Sequence, residues 1–237
     1  MRDKDDIRKA VWQAMRDAGV AAFPGAVGRI PNFTGSGRAH LQIVELDAWK
    51  EARVIKSNPD LPQRPLRRLA LEQGKTVYMA VPRLTEEKCF VELDPARITD
   101  YRLASSIKGA AQLGRLVHPD EMQPIDLIVC GSVAVNRKGA RIGKGGGFSD
   151  LEYALALTLE LISGRTPIVT TVHPVQMLSE DLPMTAHDIS VDYIGTPEDL
   201  VACDGGFQRP EGIIWEDLGE KLDEVPILRT LRSRSRG

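Results

Sequence analysis

The chain has 237 residues, of which 42% are hydrophobic and 27% charged, and a formal net charge of −2. That length allows one large domain or two small ones, and the balance is globular, which excludes disorder, collagen and coiled coil as global descriptions. A pI near 6.1 argues against a dedicated nucleic-acid binder but leaves room for a local basic pocket that takes one anionic molecule.

Six of the first eight residues are charged, with no apolar run behind them, so no secretory signal is expected. Ile7, Val11, Met15 and Ala18 share one face and predict a helix over 4–18 that stops at Gly19. Residues 23–37 are rich in Gly and Pro and read as a loop, with Arg29-Ile-Pro-Asn-Phe33 docked on the surface. A second helix is expected over 41–49. Residues 54–57 form a short strand that ends in the turn Asn58-Pro59-Asp60. A helix over 65–73 has Pro65 in its first turn and Gly74 past its end. Residues 77–81 read as a strand. The stretch 82–122 reads as an irregular insertion that carries one strand over 89–93.

Residues 125–129 are a compact apolar run, expected to be a strand. The clearest helix spans 149–163, with Ser149 and Glu152 as a capping box and Gly164 as its stop. Further strands are expected over 167–172, 191–194 and 212–215. Strands alternating with helices imply an α/β protein with a mostly parallel sheet, taken as one domain over 1–237. The Arg/Ser-rich end, 229–236, reads as a disordered terminus.

Three cysteines, Cys89, Cys130 and Cys203, form no CxxC and cannot all pair, which points to a reducing, cytoplasmic setting. Cys130 reads as a small core residue. His173 and His187 are too isolated to be a metal pair. No run of about 18 apolar residues occurs, so no membrane span is expected.

The informative segment is Gly139-Ala-Arg-Ile-Gly-Lys-Gly-Gly-Gly-Phe-Ser-Asp150. It lies between an apolar strand and a helix, where open α/β sheets bind ligands. Consecutive glycines let backbone N–H groups converge on an anion, the helix N-terminus adds partial positive charge, and Arg141 and Lys144 supply full charges. The spacing fits neither the Walker loop nor the dinucleotide fingerprint. A tight structural turn is the alternative reading, and the flanking cations favour the anion site.

Arg141-Ile-Gly-Lys-Gly-Gly-Gly-Phe-Ser-Asp150 resembles the signature of the 5-formyltetrahydrofolate cyclo-ligase family, roughly Arg-Leu-Gly-x-Gly-x-Gly-Tyr/Phe-Tyr-Asp. Asp126 to Gly139 is similar to that family's preceding strand and loop. His187-Asp188-Ile-Ser-Val-Asp192-Tyr-Ile194 is similar to its His-Asp-x-x-x-Asp-x-Ile element, and Lys4-x-x-x-Arg8 to a pair on its first helix. The likeness is closer still to the methenyltetrahydrofolate-synthetase-domain-containing branch, through Ile30-Pro-Asn-Phe33, Asn58-Pro-Asp60, Gly131-Ser-Val-Ala-Val135 and Ile227-Leu-Arg-Thr-Leu-Arg232. Departures are Ser149 in place of a second Tyr, Asn136 in place of Asp, and Gly131-Ser132 in place of Pro-Gly. The family's aromatic segment over the folate is not recognisable between 105 and 124.

The resemblance implies a three-layer α/β fold of the ribose-phosphate isomerase/CoA-transferase type: a mostly parallel sheet with flanking helices. It implies ATP- and Mg²⁺-dependent conversion of 5-formyltetrahydrofolate, or a related reduced folate, to 5,10-methenyltetrahydrofolate. Nucleotide contacts fall on Lys4, Arg8, Arg141, Gly143, Lys144, Gly145, Gly146, Gly147 and Phe148, with Arg141 and Lys144 also catalytic. Asp60 is expected against the substrate, and Asp150 and Asp188 at Mg²⁺. Neither a membrane nor a nucleic acid is expected as partner, and the oligomeric state stays open. The alternative is a nucleotide- or phosphate-binding homologue without turnover, or one acting on a non-folate substrate; Ser149 and Asn136 motivate it.

Overall fold

The computed structural model describes residues 2–234. In chain order the helices are α1 (Lys4–Asp17), α2 (Ser36–Val44), α3 (Asp47–Glu51), α4 (Arg64–Glu72), α5 (Tyr101–Ala104), α6 (Ile107–Leu113), α7 (Phe148–Thr158), α8 (Lys221–Glu224) and α9 (Pro226–Arg234). The strands are β1 (Val54–Ser57), β2 (Thr76–Ala80), β3 (Phe90–Leu93), β4 (Arg115–Val117), β5 (Leu127–Cys130), β6 (Ala134–Val135), β7 (Arg141–Ile142), β8 (Ile168–Thr171), β9 (Tyr193–Gly195) and β10 (Leu200–Ala202).

Eight strands form one sheet in the order β10-β9-β8-β5-β1-β2-β3-β4, and β6 pairs with β7 in a separate hairpin. The five strands β9, β8, β5, β1 and β2 run parallel; β10 and β3 run against them at either side, and the edge strand β4, antiparallel to β3, shares the central direction. From β1 the chain moves to β2 on one side and later to β5 on the other. Their carboxyl ends therefore splay apart at a topological switch point, which is where such sheets open a crevice.

Alternation along the strands builds the layers. In β5, Ile128 and Cys130 face a cluster with Leu151 and Leu155 of α7 and Ile227 and Leu228 of α9. Leu127 and Val129 face the opposite cluster, with Ile43 of α2, Trp49 of α3 and Leu66 and Leu71 of α4. A third cluster lies beside the sheet. Ile7, Val11 and Met15 of α1 pack there on Ile30, Phe33 and the β6–β7 hairpin. The expected three-layer, mostly parallel architecture is present. Among the described residues no helix is long and apolar enough to cross a membrane.

Several element boundaries differ from expectation. The helix expected over 41–49 is two helices. Gly35, at φ 87°, starts α2 early, and extended backbone at Leu46 separates it from α3. The helix expected over 149–163 ends at Thr158, because Glu160 adopts φ 56°. Leu161 and Ile162 still reach the core from the turn beyond. The strand expected over 191–194 starts at Tyr193, since the Val191 N–H donates instead to Gly139. Residues 212–215 form no strand: the Ile213 N–H donates to the Thr158 hydroxyl (3.1 Å), so this run packs on α7 rather than joining the sheet.

The stretch 82–122 is more regular than expected, supplying β3, α5, α6 and β4. Ile30 and Phe33 are buried rather than docked on the surface. The Arg/Ser-rich end is helical through Arg234, because Ile227, Leu228 and Leu231 give α9 an apolar face that the core accepts. Residues 235–237 lie outside the described residues.

Leu228 is completely buried. Leu228→Ala is expected to lower unfolding free energy by about 2–5 kcal/mol through lost burial and a residual cavity. The measurement is a urea titration against the parent. An unchanged midpoint would show that the α9 segment does not belong to the cooperative fold.

Candidate functional site

A cleft of about 440 Å³ opens at the carboxyl ends of β1 and β5. Three structures meet there: the Asn58-Pro59-Asp60 turn after β1, the loop 143–147 before α7, and the amino-terminal turns of α1. The glycine loop does not follow β5 directly. The β6–β7 hairpin intervenes and hands the chain to the loop through Arg141 and Ile142.

Arg141 is the most constrained side chain of the site. It is 3% exposed. Its Nη1 donates to the Gly131 carbonyl (3.0 Å) and its Nη2 to Asp150 Oδ1 (2.7 Å). Asp150 Oδ1 also accepts the Ile189 N–H (3.1 Å). Burial works against the guanidinium charge, but Asp150 outweighs it, and the pKa of Arg141 lies above its ordinary value. The buried Nε–H has no partner in the protein. A buried unpaired donor is costly.

The loop itself needs glycine. Gly145 sits at φ 116° and Gly147 at φ 63°, both in the left-handed region that side chains disfavour. Gly147 is also the N-cap of α7, and no side chain caps this helix. The expected capping box is therefore not formed. The Ser149 hydroxyl turns to Asn58 Oδ1 (3.1 Å), and Glu152 forms a buried ion pair with Lys56 while accepting from Asn58 Nδ2 (3.0 Å). With no side-chain cap, the first backbone N–H groups of α7 remain available to an anion.

The other expected residues surround the same space. From α1, Lys4 pairs with Asp188, and Arg8 Nε donates to the Gly143 carbonyl (2.7 Å) while its Nη1 pairs with Asp5. Asp188 also accepts from the Thr185 N–H (2.6 Å) and hydroxyl (2.7 Å). Burial would raise the Asp188 pKa, but the Lys4 ammonium and the Thr185 donors prevail and lower it. Lys144 Nζ reaches Asp60 Oδ1 (3.2 Å). All of the expected site residues thus line one cleft: Lys4, Arg8, Asp60, Arg141, Gly143, Lys144, Gly145 to Gly147, Phe148, Asp150 and Asp188. Asn136 does not line it. Its Oδ1 accepts the Ala140 N–H (3.0 Å) and its Nδ2 donates to Glu180, so it closes the hairpin turn.

Sequence reading missed Asn58, Lys56, Glu152, Arg83 and Lys221. A lysine inside the apolar run Val54-Ile-Lys-Ser57 was a readable signal for a buried partner such as Glu152. The turn after β1 is held from below by Arg67. Its guanidinium, fully buried, donates to the carbonyls of Asn58, Pro59, Asp60 and Ser105, and burial pulls its pKa down to about 9. His40 supports the same turn: its buried Nε2 lies 2.7 Å from the Pro62 carbonyl, and Nδ1 has no partner. A carbonyl only accepts, so Nε2 carries the proton and the ring is neutral. Burial pulls its pKa down to about 4.

The cleft fits a triphosphate. Lys4, Arg8, Lys144 and the uncapped α7 terminus face one volume. It fits Mg²⁺ only as a phosphate-held ion. Among the described residues no three His, Cys, Asp or Glu side chains cluster as a metal site, so Asp150 and Asp188 could add at most two carboxylates, in keeping with a cation that retains waters. Ile30, Val81, Pro82 and Ile107 give the cleft an apolar wall suited to a flat ring.

A family model described as the 5-formyltetrahydrofolate cyclo-ligase family matches residues 1–197. A methenyltetrahydrofolate synthase domain-containing protein from Bos taurus is 40% identical over 237 residues, covering 97% of this chain and 62% of that protein. The Homo sapiens protein of the same name is 38% identical over 239 residues, covering 98% and 62%. The chain thus spans less than two thirds of these relatives' length. A 5-formyltetrahydrofolate cyclo-ligase from Mycolicibacterium smegmatis is 32% identical over 134 residues, or 54% of this chain and 63% of that protein. Among solved structures, the NMR structure of Aquifex aeolicus 5,10-methenyltetrahydrofolate synthetase superposes with a TM-score of 0.54. It is 18% identical and covers 86% of this chain and 95% of that one. That likeness is one of fold.

The neutral imidazole under the turn gives a pH prediction. The folded-state pKa of His40, about 4, lies below its unfolded value of 6.5. Its contribution is therefore complete above pH 6.5 and is lost as pH falls towards 4, reaching roughly 3 kcal/mol. Urea midpoints from pH 7 to 4 are expected to fall more steeply for the parent than for His40→Gln. Parallel profiles would overturn the assignment of a buried neutral ring.

Proposed function

Because the chain belongs to the 5-formyltetrahydrofolate cyclo-ligase family, we propose that this cleft binds ATP with Mg²⁺ and closes 5-formyltetrahydrofolate, or a related reduced folate, into 5,10-methenyltetrahydrofolate. The observation that carries the proposal is the glycine loop that opens α7 without a side-chain cap, surrounded by Lys4, Arg8, Arg141 and Lys144.

The reaction has two steps. The formyl oxygen on N5 attacks the γ-phosphorus, the bond to the β-phosphate oxygen breaks, and ADP leaves. N10 then attacks the formyl carbon and loses its proton, and phosphate departs with the former formyl oxygen, leaving the methenyl bridge. Phosphoryl transfer asks a protein chiefly for positioning and charge stabilisation. Lys4 and Arg8 hold the phosphate chain from α1, and the N–H groups of 143–148 hold it from the loop. Arg141 is a fixed donor that its own hydrogen bonds keep from moving. Lys144 is exposed, and its pair with Asp60 exchanges readily for a phosphate oxygen. Asp60 and the apolar wall receive the folate. Asp150 and Asp188 would help hold Mg²⁺, which when bound neutralises phosphate charge and polarises the transferring group.

Residues 1–237 are read as one domain, an assignment supported by α9 sharing a hydrophobic cluster with β5 and α7. A second reading, nucleotide binding without folate turnover, is favoured by Ser149. Where the resembling family carries a Tyr, this hydroxyl is committed to Asn58.

Protein incubated with Mg-ATP and 5-formyltetrahydrofolate is expected to release ADP and gain methenyl absorbance together. Lys144→Ala, a change at an exposed side chain, is expected to lower kcat/KM by roughly tenfold to a hundredfold, the worth of one charge-assisted hydrogen bond. Arg141→Ala is expected to abolish the reaction. Nucleotide binding without methenyl product moves the conclusion to the second reading, and absence of nucleotide binding removes both.

A further inference from the structure

The family match ends at residue 197, yet the cleft does not. Lys221, the first residue of α8, is one of its lining residues. The segment that delivers it is anchored on both sides. Val225, Ile227 and Leu228 bury in the core after it, and Leu218 packs against the same cluster before it. Glu224, on the same short helix, pairs with Arg83 (3.2 Å) across the cleft mouth.

The position of the ammonium is telling. Lys221 Nζ lies 5.7 Å from the centre of the Phe148 ring, and a Cβ on Gly147 would come within 2.9 Å of it. Gly147 is the N-cap of α7, so the lysine places a full positive charge against the positive end of a helix dipole. No carboxylate of the described residues pairs with it. The other cations lining the cleft each have a carboxylate partner. An unpaired ammonium beside a helix amino terminus is unfavourable in the free protein and becomes favourable once an anion sits between the two. A second observation points the same way: Lys4, Arg8, Arg141 and Lys144 line the same cleft, so other cations surround the volume that Lys221 lines.

We propose that Lys221 is a phosphate ligand of the cleft, so that the segment beyond residue 197 completes the nucleotide site. This inference rests on the reading of the cleft as a nucleotide site. The anion is assigned to the phosphate chain rather than to a folate carboxylate because the ammonium lies against the glycine loop. The apolar wall that suits the organic substrate is lined by Ile30, Val81, Pro82 and Ile107.

The test is calorimetric titration of the full chain with adenylyl imidodiphosphate and Mg²⁺, and separately with 5-formyltetrahydrofolate alone. The variants are Lys221→Met, which keeps the aliphatic stem over Phe148, and Lys221→Arg. Lys221→Met is expected to weaken the nucleotide analogue about tenfold or more, to leave 5-formyltetrahydrofolate affinity and the thermal midpoint unchanged, and to flatten the salt dependence of nucleotide binding. Lys221→Arg is expected to restore most of the affinity. Parent-like nucleotide affinity in Lys221→Met would overturn the proposal, and so would a loss confined to the folate. Failure of the parent itself to bind the analogue is a different result, and it removes the nucleotide reading together with this inference.

Discussion

The site hangs on one guanidinium. Arg141 joins the end of β5, through the Gly131 carbonyl, to the first turn of α7, through Asp150, and Asp150 in turn holds the backbone at Ile189. Three neighbouring segments, at Gly131, Arg141 and Asp150, and the more distant backbone at Ile189 are thereby fixed around a buried charge pair. Such pairs contribute little net stability over an apolar replacement, but loss of one partner strands the other charge and costs on the order of 3–5 kcal/mol. The geometry is therefore specified more than it is stabilised. The strands bring the pieces near one another; Arg141 and Asp150 set their register.

Around that fixed pair lies a second tier of exchangeable ones. Lys4 with Asp188, Arg8 with Asp5 and Lys144 with Asp60 neutralise one another in the free protein. The Lys144 pair is exposed at its lysine and worth little, whereas Asp188 is buried and held by Thr185 as well as by Lys4. Both Asp60 and Asp188 line the cleft. Beneath both tiers the protein is rigid. Arg67 satisfies four backbone carbonyls at once, and Asn58 links Glu152, Ser149 and the Gly131 N–H.

Much of this was legible in the sequence because local signals carried it. The period of Ile7, Val11 and Met15, the apolar runs of β1, β5 and β8, and the glycine run before α7 each survive in the fold. The glycine run with its flanking cations marked Arg141 and Lys144, and family resemblance added Lys4, Arg8 and Asp188, which no local pattern connects to them. What was not legible depended on distant partners. Ser149 and Glu152 have capping-box spacing, but Asn58 and Lys56 compete for both side chains and win. Residues 212–215 have strand-like composition, yet no free sheet edge meets them. The Arg/Ser-rich end looks like a disordered terminus until Ile227, Leu228 and Leu231 find their cluster. Lys221 had no signal at all, since its significance lies in where α8 comes to rest.

The cleft draws on residues from 4 to 221, so its walls come from segments separated by roughly two hundred residues of chain. Chains emerge at about 5–20 residues per second, which leaves α1 waiting many seconds for the glycine loop and longer for α8. During that interval the hydrophobic face of Ile7, Val11 and Met15 has only nearby residues such as Ile30 and Phe33 to cover it, because Val133, Ala134 and Ile142 are not yet synthesised. The pieces of the cleft thus meet only after α8 has been made, and α1 spends most of that time with its apolar face only partly covered.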